Sequence, residues 1–309
     1  MTTFCVMEQG KSINDPITIE KRELFDTPFS DFYRLNWFCD DDPNAAFSAP
    51  GVCWSEGRSL LYEKVPKQYD YYVFIDDDIV FDAPDGAHVP TLMRDFFDEY
   101  KPLAGSFYCP DSWSHRPHPR PSLARRIGAR LVGKRAGIPS QPFDRAPHPM
   151  YSYDLELQFY SASFADAVLP VPFHGSDRTM HYTHFICATQ YPLKQLCFYG
   201  VQIRNTRSDP HGLDNADTIG TYELTRLPDD SVRTDSDRIV DLFNAGVHDH
   251  SYDPHGSWNQ RTCQIENRRL QSVAPDKTAI DYSTEDLGKI YDVQSDAWQK
   301  RSATIQKMV

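Results

Sequence analysis

An apolar run that ends in three consecutive carboxylates is the feature that most constrains the fold of this chain. Residues 69–80 read YDYYVFIDDDIV, in which Val73, Phe74 and Ile75 are typical of a buried strand in a largely parallel sheet. Adjacent acids at a strand end repel one another and lose hydration, so a cation is expected beside them. Because open α/β sheets bind ligands at the carboxyl ends of their strands, the run predicts a metal and phosphate site.

Charge, hydropathy and cysteine usage exclude several classes of protein. The net charge of -12 argues against a general nucleic-acid binder. No apolar stretch approaches the roughly 20 residues that cross a bilayer, and the first residues lack the pattern of a signal peptide. The seven cysteines form no C-x-x-C pair and no zinc spacing, and an odd number without a secretory signal favours reduced thiols and a cytoplasmic location.

Hydrophobic periodicity predicts an α/β order of elements. Residues 153–159 alternate polar and apolar, as a half-exposed strand does. A Ser-x-x-Asp cap at Ser283 and Asp286 begins a predicted C-terminal helix that continues to residue 308. The other predicted strands span 3–7, 32–38, 103–108 and 195–204, and the other predicted helices span 55–64 and 92–100.

The segment from Pro110 to Met150 is basic and rich in proline. It carries eight Arg or Lys residues against two Asp, and its prolines bracket one possible helix over 122–135. Three interpretations stay open: a solvated loop, a lid over an anionic substrate, or a patch for an anionic lipid surface or lipid-linked acceptor.

The strand and its acidic turn resemble those of the GT-A glycosyltransferases. Phe74-Ile75-Asp76-Asp77-Asp78-Ile79 is similar to the D-x-D motif of that superfamily, and residues 55–63 are similar to the helix before it. The resemblance implies a Rossmann-like α/β/α sandwich around a mixed, mostly parallel sheet, spanning 1–260 with the basic insert at 110–150. A helical C-terminal extension would then occupy 261–309.

The resemblance also implies a metal-dependent reaction on a nucleoside-diphosphate sugar, with a UDP-sugar favoured. Mn²⁺ or Mg²⁺ would stabilise the charge on the leaving diphosphate. Asp78 would bind the metal directly, and Asp76 would contact the ribose and the metal. Asp77 would assist or be solvated, and Arg58 would contact phosphate or base.

Later segments supply the remaining candidate residues of this resemblance. Asp177, after Pro172-Phe173-His174-Gly175-Ser176, is the expected general base of an inverting enzyme, with Glu156 and Asp154 as reserves. His211 fits a further metal ligand, and Arg204 would face the diphosphate. The expected acceptor is a glycan, a polysaccharide or a lipid-linked chain, with peripheral membrane contact through the basic insert.

Two other functions fit parts of the same pattern. Asp76-x-Asp78-x-Val80 after an apolar strand also matches the motif of haloacid-dehalogenase-type phosphatases, in which the first Asp is a nucleophile. That motif usually opens its domain, whereas about 70 residues precede it in this chain. A metal-dependent nucleotide- or sugar-binding module without catalysis is the remaining alternative.

Overall fold

A nine-stranded mixed sheet forms the centre of the fold. The structure is a computed structural model that describes residues 1–52, 54–110, 112, 143, 145–150, 153, 156–169, 191, 193–206, 225–226, 232–233, 267 and 270–277. In chain order the elements are β1 (Phe4–Gly10), α1 (Pro16–Phe25), β2 (Ser30–Asn36), β3 (Phe47–Ser48), α2 (Trp54–Lys64), β4 (Tyr71–Asp76), β5 (Ile79–Asp82), α3 (Val89–Tyr100), β6 (Ala104–Tyr108), β7 (His148–Pro149), β8 (Leu157–Ser161), α4 (Ala162–Val168), β9 (Gln195–Asn205), β10 (Thr225–Arg226) and β11 (Val232–Arg233).

The order of the strands brings several strand ends to one edge. The sheet runs β3-β2-β1-β4-β8-β6-β9-β5, with β7 beside β9. Strands β3, β2, β1 and β4 are parallel, and β8 runs antiparallel between β4 and β6. Gly10 lies opposite Asn36 and Gln9 opposite Asp76, so β1, β2 and β4 end together. We call this border the carboxyl edge; the amino end of β8 meets it, where the Asp76 amide donates to the Glu156 carbonyl at 3.3 Å.

Helices cover both faces of the sheet. Phe25 of α1 and Met93, Phe96 and Phe97 of α3 pack into one buried cluster with alternate residues of β1 and β4. Leu61 of α2 and Phe164 of α4 pack into the cluster on the opposite face. The predicted fold class, an α/β/α sandwich around a mixed, mostly parallel sheet, is confirmed.

Local sequence explains where two of these helices begin and end. Asp15 caps α1 by accepting from the Ile17 amide at 3.0 Å, and Pro16 occupies the first helical turn, where a missing N–H costs nothing. In α3 the buried residues recur at helical spacing, and Lys101 ends the helix in the left-handed region with φ of 45°. Among the described residues, no helix is long and apolar enough to cross a membrane.

Most predicted elements have counterparts, with shifted bounds. The helix expected over 55–64 is α2, and the strand expected over 195–204 is β9. The prediction of a half-exposed strand over 153–159 is wrong, because β8 spans Leu157–Ser161 and its first four residues are buried. Its polar Gln158 is buried because Arg58 donates to it. The predicted C-terminal helix lies outside the described residues, as does most of the basic insert, of which the structure describes 110, 112, 143 and 145–150.

Candidate functional site

The acidic turn joins β4 to β5 at the carboxyl edge, and its backbone is held from two sides. Lys21 Nζ donates to the carbonyl oxygens of Asp76 and Asp77 at 3.3 and 3.0 Å. The amide and hydroxyl of Thr206 donate to the carbonyl of Asp78 at 2.9 and 2.8 Å. All three carbonyl groups of the turn therefore have a donor, which fixes the path of the chain.

Asp76 is held by residues from α2. Trp54 Nε1 and Arg58 Nη2 each donate to Asp76 Oδ1 at 2.9 Å. Arg58 is fully buried, lies 3.8 Å from the centre of the Trp54 ring, and donates through Nη1 to Gln158 at 2.7 Å. Burial raises the pKa of Asp76, and Arg58 opposes that shift. The structure thus brings the predicted residues Asp76 and Arg58 together, as a charge pair supported by a tryptophan.

Asp77 turns back towards the end of β1. Its Oδ2 accepts from the backbone amides of Lys11 and Ser12 at 3.1 and 3.4 Å. The carboxylate lies so close to Gly10 that any Cβ there would overlap it. In this position Asp77 joins the loop after β1 to the acidic turn.

Asp78 differs from both neighbours. Its Oδ1 is buried, and no donor for it is present among the described residues. Burial raises the pKa of Asp78 to about 7, and the negative charges of Asp76 and Asp77 add to that shift. A buried carboxylate oxygen without a donor is costly, and a hard cation with oxygen ligands would satisfy it.

The donor set therefore fits Mn²⁺ or Mg²⁺ in part. Within the described ranges, no three His, Cys, Asp or Glu side chains are grouped to hold a metal on their own. Asp78, with Asp76 beside it, would supply two carboxylates of a coordination shell. Magnesium-type sites often complete such a shell with water and substrate phosphate.

The other predicted site residues are placed differently. Arg204 lies near the end of β9, where its partly exposed guanidinium pairs with Asp82 of β5, with Nη2 to Oδ1 at 3.0 Å. Glu156, a reserve candidate for the base, lies at the carboxyl edge and accepts from the Cys109 thiol at 3.3 Å. Asp177, His211 and Asp154 lie outside the described residues.

Sequence reasoning missed Trp54, Gln158 and Lys21. Trp54 stands four residues before Arg58, a spacing that places both on one face of a helix and would have predicted their contact. Gln158 and Lys21 reach the site only through the pairing of strands and the packing of α1, and the sequence carries no local signal for either.

Comparison with known proteins finds matches among solved structures. No protein-family model matches the chain, and no curated protein matches it. Among solved structures, a mycobacterial protein is 15% identical with a TM-score of 0.37, over 66% of this chain and 65% of that one. Glucosyl-3-phosphoglycerate synthase from Mycobacterium tuberculosis, solved with Mn²⁺, UDP and glucosyl-3-phosphoglycerate, is 15% identical with a TM-score of 0.38, over 71% of this chain and 75% of that one.

Proposed function

We propose that the protein is a metal-dependent glycosyltransferase that transfers a sugar from a nucleoside-diphosphate sugar to a glycan, polysaccharide or lipid-linked acceptor. The observation that carries the proposal is Asp78, whose buried Oδ1 has no donor among the described residues at the carboxyl edge of an α/β sheet. Ligands of open α/β sheets bind at this edge, and a cation between a carboxylate and a diphosphate satisfies both.

Each residue of the acidic turn has a separate proposed role. Asp78 binds Mn²⁺ or Mg²⁺, which when bound stabilises negative charge on the departing diphosphate. Asp76, oriented by Trp54 and Arg58, accepts a hydrogen bond from the ribose of a UDP-sugar and is a second metal ligand. Arg58 is fully buried, so its role towards the donor is to orient Asp76. Asp77 fixes the loop after β1 by accepting from the backbone amides of Lys11 and Ser12.

The acceptor side of the reaction rests on residues outside the described ranges. We assign the general base to Asp177, which would take the proton of the acceptor hydroxyl as its oxygen attacks the anomeric carbon with inversion. His211 is assigned as a further metal ligand. Arg204 is paired with Asp82, so contact with the diphosphate would require exchange of that partner.

The phosphatase alternative finds less support in the same geometry. Because Oδ1 of Asp76 already accepts from Trp54 and Arg58, a nucleophilic Asp76 would have to attack phosphorus through Oδ2. In addition, three strands of the sheet, β1, β2 and β3, precede the motif.

Thermal unfolding with Mn²⁺ and a panel of nucleoside diphosphates tests the proposal. A ligand at a hundredfold excess over its dissociation constant stabilises the folded state by about 2.7 kcal/mol. We expect a metal-dependent rise in the melting temperature with one diphosphate, UDP first, and expect Asp78→Asn to abolish it. Asp85→Asn, an exposed acid just after β5, is the matched control and should keep the full shift.

Product analysis separates the three functions. A glycosyltransferase with Mn²⁺ slowly hydrolyses its sugar donor and releases the nucleoside diphosphate, whereas a binding module leaves the donor intact. A phosphatase instead releases inorganic phosphate from simple phosphomonoesters. If no nucleotide shifts the melting temperature of the wild type, the proposed function is wrong.

A further inference from the structure

Lys21 is a buried lysine whose ammonium group lies beneath the acidic turn. It belongs to α1, is 3% exposed, and donates to the carbonyl oxygens of Asp76 and Asp77. Its third partner is the carboxylate of Glu8 on β1. The two carbonyl oxygens accept hydrogen bonds from the ammonium group, and the Glu8 carboxylate forms an ion pair with it.

Glu8 is itself fixed by a buried network. Thr18 Oγ1 donates to Glu8 Oε1 at 2.6 Å, and the fully buried Arg34 of β2 pairs with the same carboxylate. Arg34 Nε in turn donates to Asp42 at 2.9 Å. Buried ion pairs contribute little net stability compared with apolar packing, but breaking one is costly, so their geometry is strongly defined. Lys21 is thereby held in one place by residues of three elements.

We infer that Lys21 is a positioning residue for the cation site: it fixes the backbone of the Asp76–Asp78 turn so that Asp78 presents its unpaired oxygen in one orientation. This inference rests on the proposed function, since the cation is the one assigned to Asp78. Side chains that orient metal ligands without touching the metal commonly change affinity by 10–100-fold.

A positioning role and a purely electrostatic role of Lys21 predict opposite changes in metal affinity when Lys21 is removed. Its ammonium favours ionised Asp78 and lowers the pKa of that group against the larger effect of burial, so it compensates the acidic turn without metal. Towards a bound cation the same charge is repulsive. At a pH well above the pKa of Asp78, where the carboxylate is ionised with or without Lys21, a role through charge alone predicts that removing Lys21 strengthens metal binding. A positioning role predicts that its removal weakens binding.

Direct titration with Mn²⁺ shows whether affinity rises or falls, with the free ion measured by its electron paramagnetic resonance signal. The test variant is Glu8→Gln/Lys21→Met, which removes one buried charge of each sign and leaves the net charge unchanged. We expect its Mn²⁺ affinity to fall at least tenfold. An affinity equal to or above that of the wild type overturns the inference.

Two further variants keep the test decisive. Thr18→Val removes two hydrogen bonds of the same buried network, one to Glu8 and one from Arg34, and among the described residues Thr18 makes no hydrogen bond with the turn. This variant should melt earlier and bind Mn²⁺ within about twofold of the wild type. Equal losses of affinity in Thr18→Val and the double variant would assign the effect to general loosening and overturn the inference. Lys21→Arg retains the charge but not the compact ammonium group. A positioning role predicts weaker Mn²⁺ binding by this variant, whereas a role through charge alone predicts unchanged binding. Lys21→Arg replaces the double variant as the test if the double variant does not fold.

The failure of the inference differs from the failure of the proposed function. If the wild type and the Lys21 variants bind Mn²⁺ alike while Asp78→Asn does not, only the positioning role is wrong. If the wild type binds no Mn²⁺, both are wrong.

Discussion

Asp76, Asp77 and Asp78 are neighbours in sequence, yet each carboxylate meets a different environment. Asp76 accepts from the side chains of Trp54 and Arg58, and Asp77 accepts from backbone amides of the loop after β1. Only Asp78 has a buried oxygen for which the described residues provide no donor. Because the three carboxylates have different partners, each has a different proposed role: Asp76 is oriented by α2, Asp77 anchors the loop after β1, and Asp78 binds the cation.

The raised pKa of Asp78 predicts a pH dependence of metal binding. With a pKa of about 7, most Asp78 carboxyls are ionised at pH 8 and about a tenth at pH 6, and a metal must displace the proton. We expect the apparent Mn²⁺ dissociation constant to rise about tenfold from pH 8 to pH 6, measured by titration calorimetry. An affinity that stays level over this range would contradict the assignment.

The same shift has a consequence for stability without metal. A carboxyl whose pKa is higher in the folded than in the unfolded state binds protons more tightly when folded. The contribution of Asp78 to folding stability therefore falls as the pH rises from about 4 to 7, and it stays low above pH 7. For the metal-free protein at pH 8, Asp78→Asn should melt at a higher temperature than the wild type, and this difference should shrink towards pH 4.

At the scale of elements, β1 and the acidic turn depend on the absence of a side chain at Gly10. A Cβ at this position would overlap the Asp77 carboxylate, which is anchored by two backbone amides and has little room to move. Gly10→Ala should therefore displace Asp77 and lower stability by about 1–3 kcal/mol, the usual cost of overpacking. Urea unfolding measures this change.

The control for Gly10→Ala is Ser12→Ala, which keeps both backbone donors to Asp77. It should cost less stability than Gly10→Ala, because it adds no Cβ beside Asp77 and leaves the amides of Lys11 and Ser12 in place. If Gly10→Ala were as stable as Ser12→Ala, the close approach of Asp77 to β1 would not exist in solution.

Elements with a local signal are the ones that sequence reasoning predicts. The apolar run of β4 and its carboxylates are contiguous, so the strand and the turn are visible in one stretch of twelve residues. Helix α1 was not predicted even though Asp15 and Pro16 form a local start signal, because its helical face buries Thr18 and Lys21 where apolar residues are expected.

Long-range pairing explains what the sequence conceals. Glu8, Lys21 and Arg34 would each be assigned to the surface by residue type. They are buried because, together with Asp42, they form a network of two positive and two negative charges. The error for β8 has the same origin: Gln158 reads as solvent-facing, but Arg58, one hundred residues earlier, pairs with it inside the fold. No window of sequence contains both partners.

At the scale of the whole molecule, the acidic turn is fixed from both faces of the sheet. Trp54 and Arg58 approach the side chain of Asp76 from α2 on one face, while Lys21 approaches the backbone from α1 on the other. Both helical layers therefore meet at Asp76: α2 holds its carboxylate, and α1 holds its carbonyl oxygen and that of Asp77. The sandwich architecture is thus what makes the geometry of the site rigid.

Rigidity of the site and global stability are nevertheless separable, and Phe159 of β8 tests this. Phe159 is fully buried at the centre of the sheet, with ring centres 5.3 to 5.7 Å from those of Phe97, Phe96 and Phe107. Phe159→Ala should lower the free energy of unfolding by about 3–5 kcal/mol in urea, since it opens a cavity among aromatic rings. Phe38→Ala, at a side chain that is 70% exposed, should change it by less than about 0.5 kcal/mol.

Metal binding should be independent of this loss of stability. The rings packed around Phe159 are those of Phe96, Phe97 and Phe107, and none of these residues belongs to the acidic turn. The folded fraction of Phe159→Ala should therefore bind Mn²⁺ as the wild type does. A parallel loss of Mn²⁺ affinity would show instead that the acidic turn depends on the packing of the whole sheet.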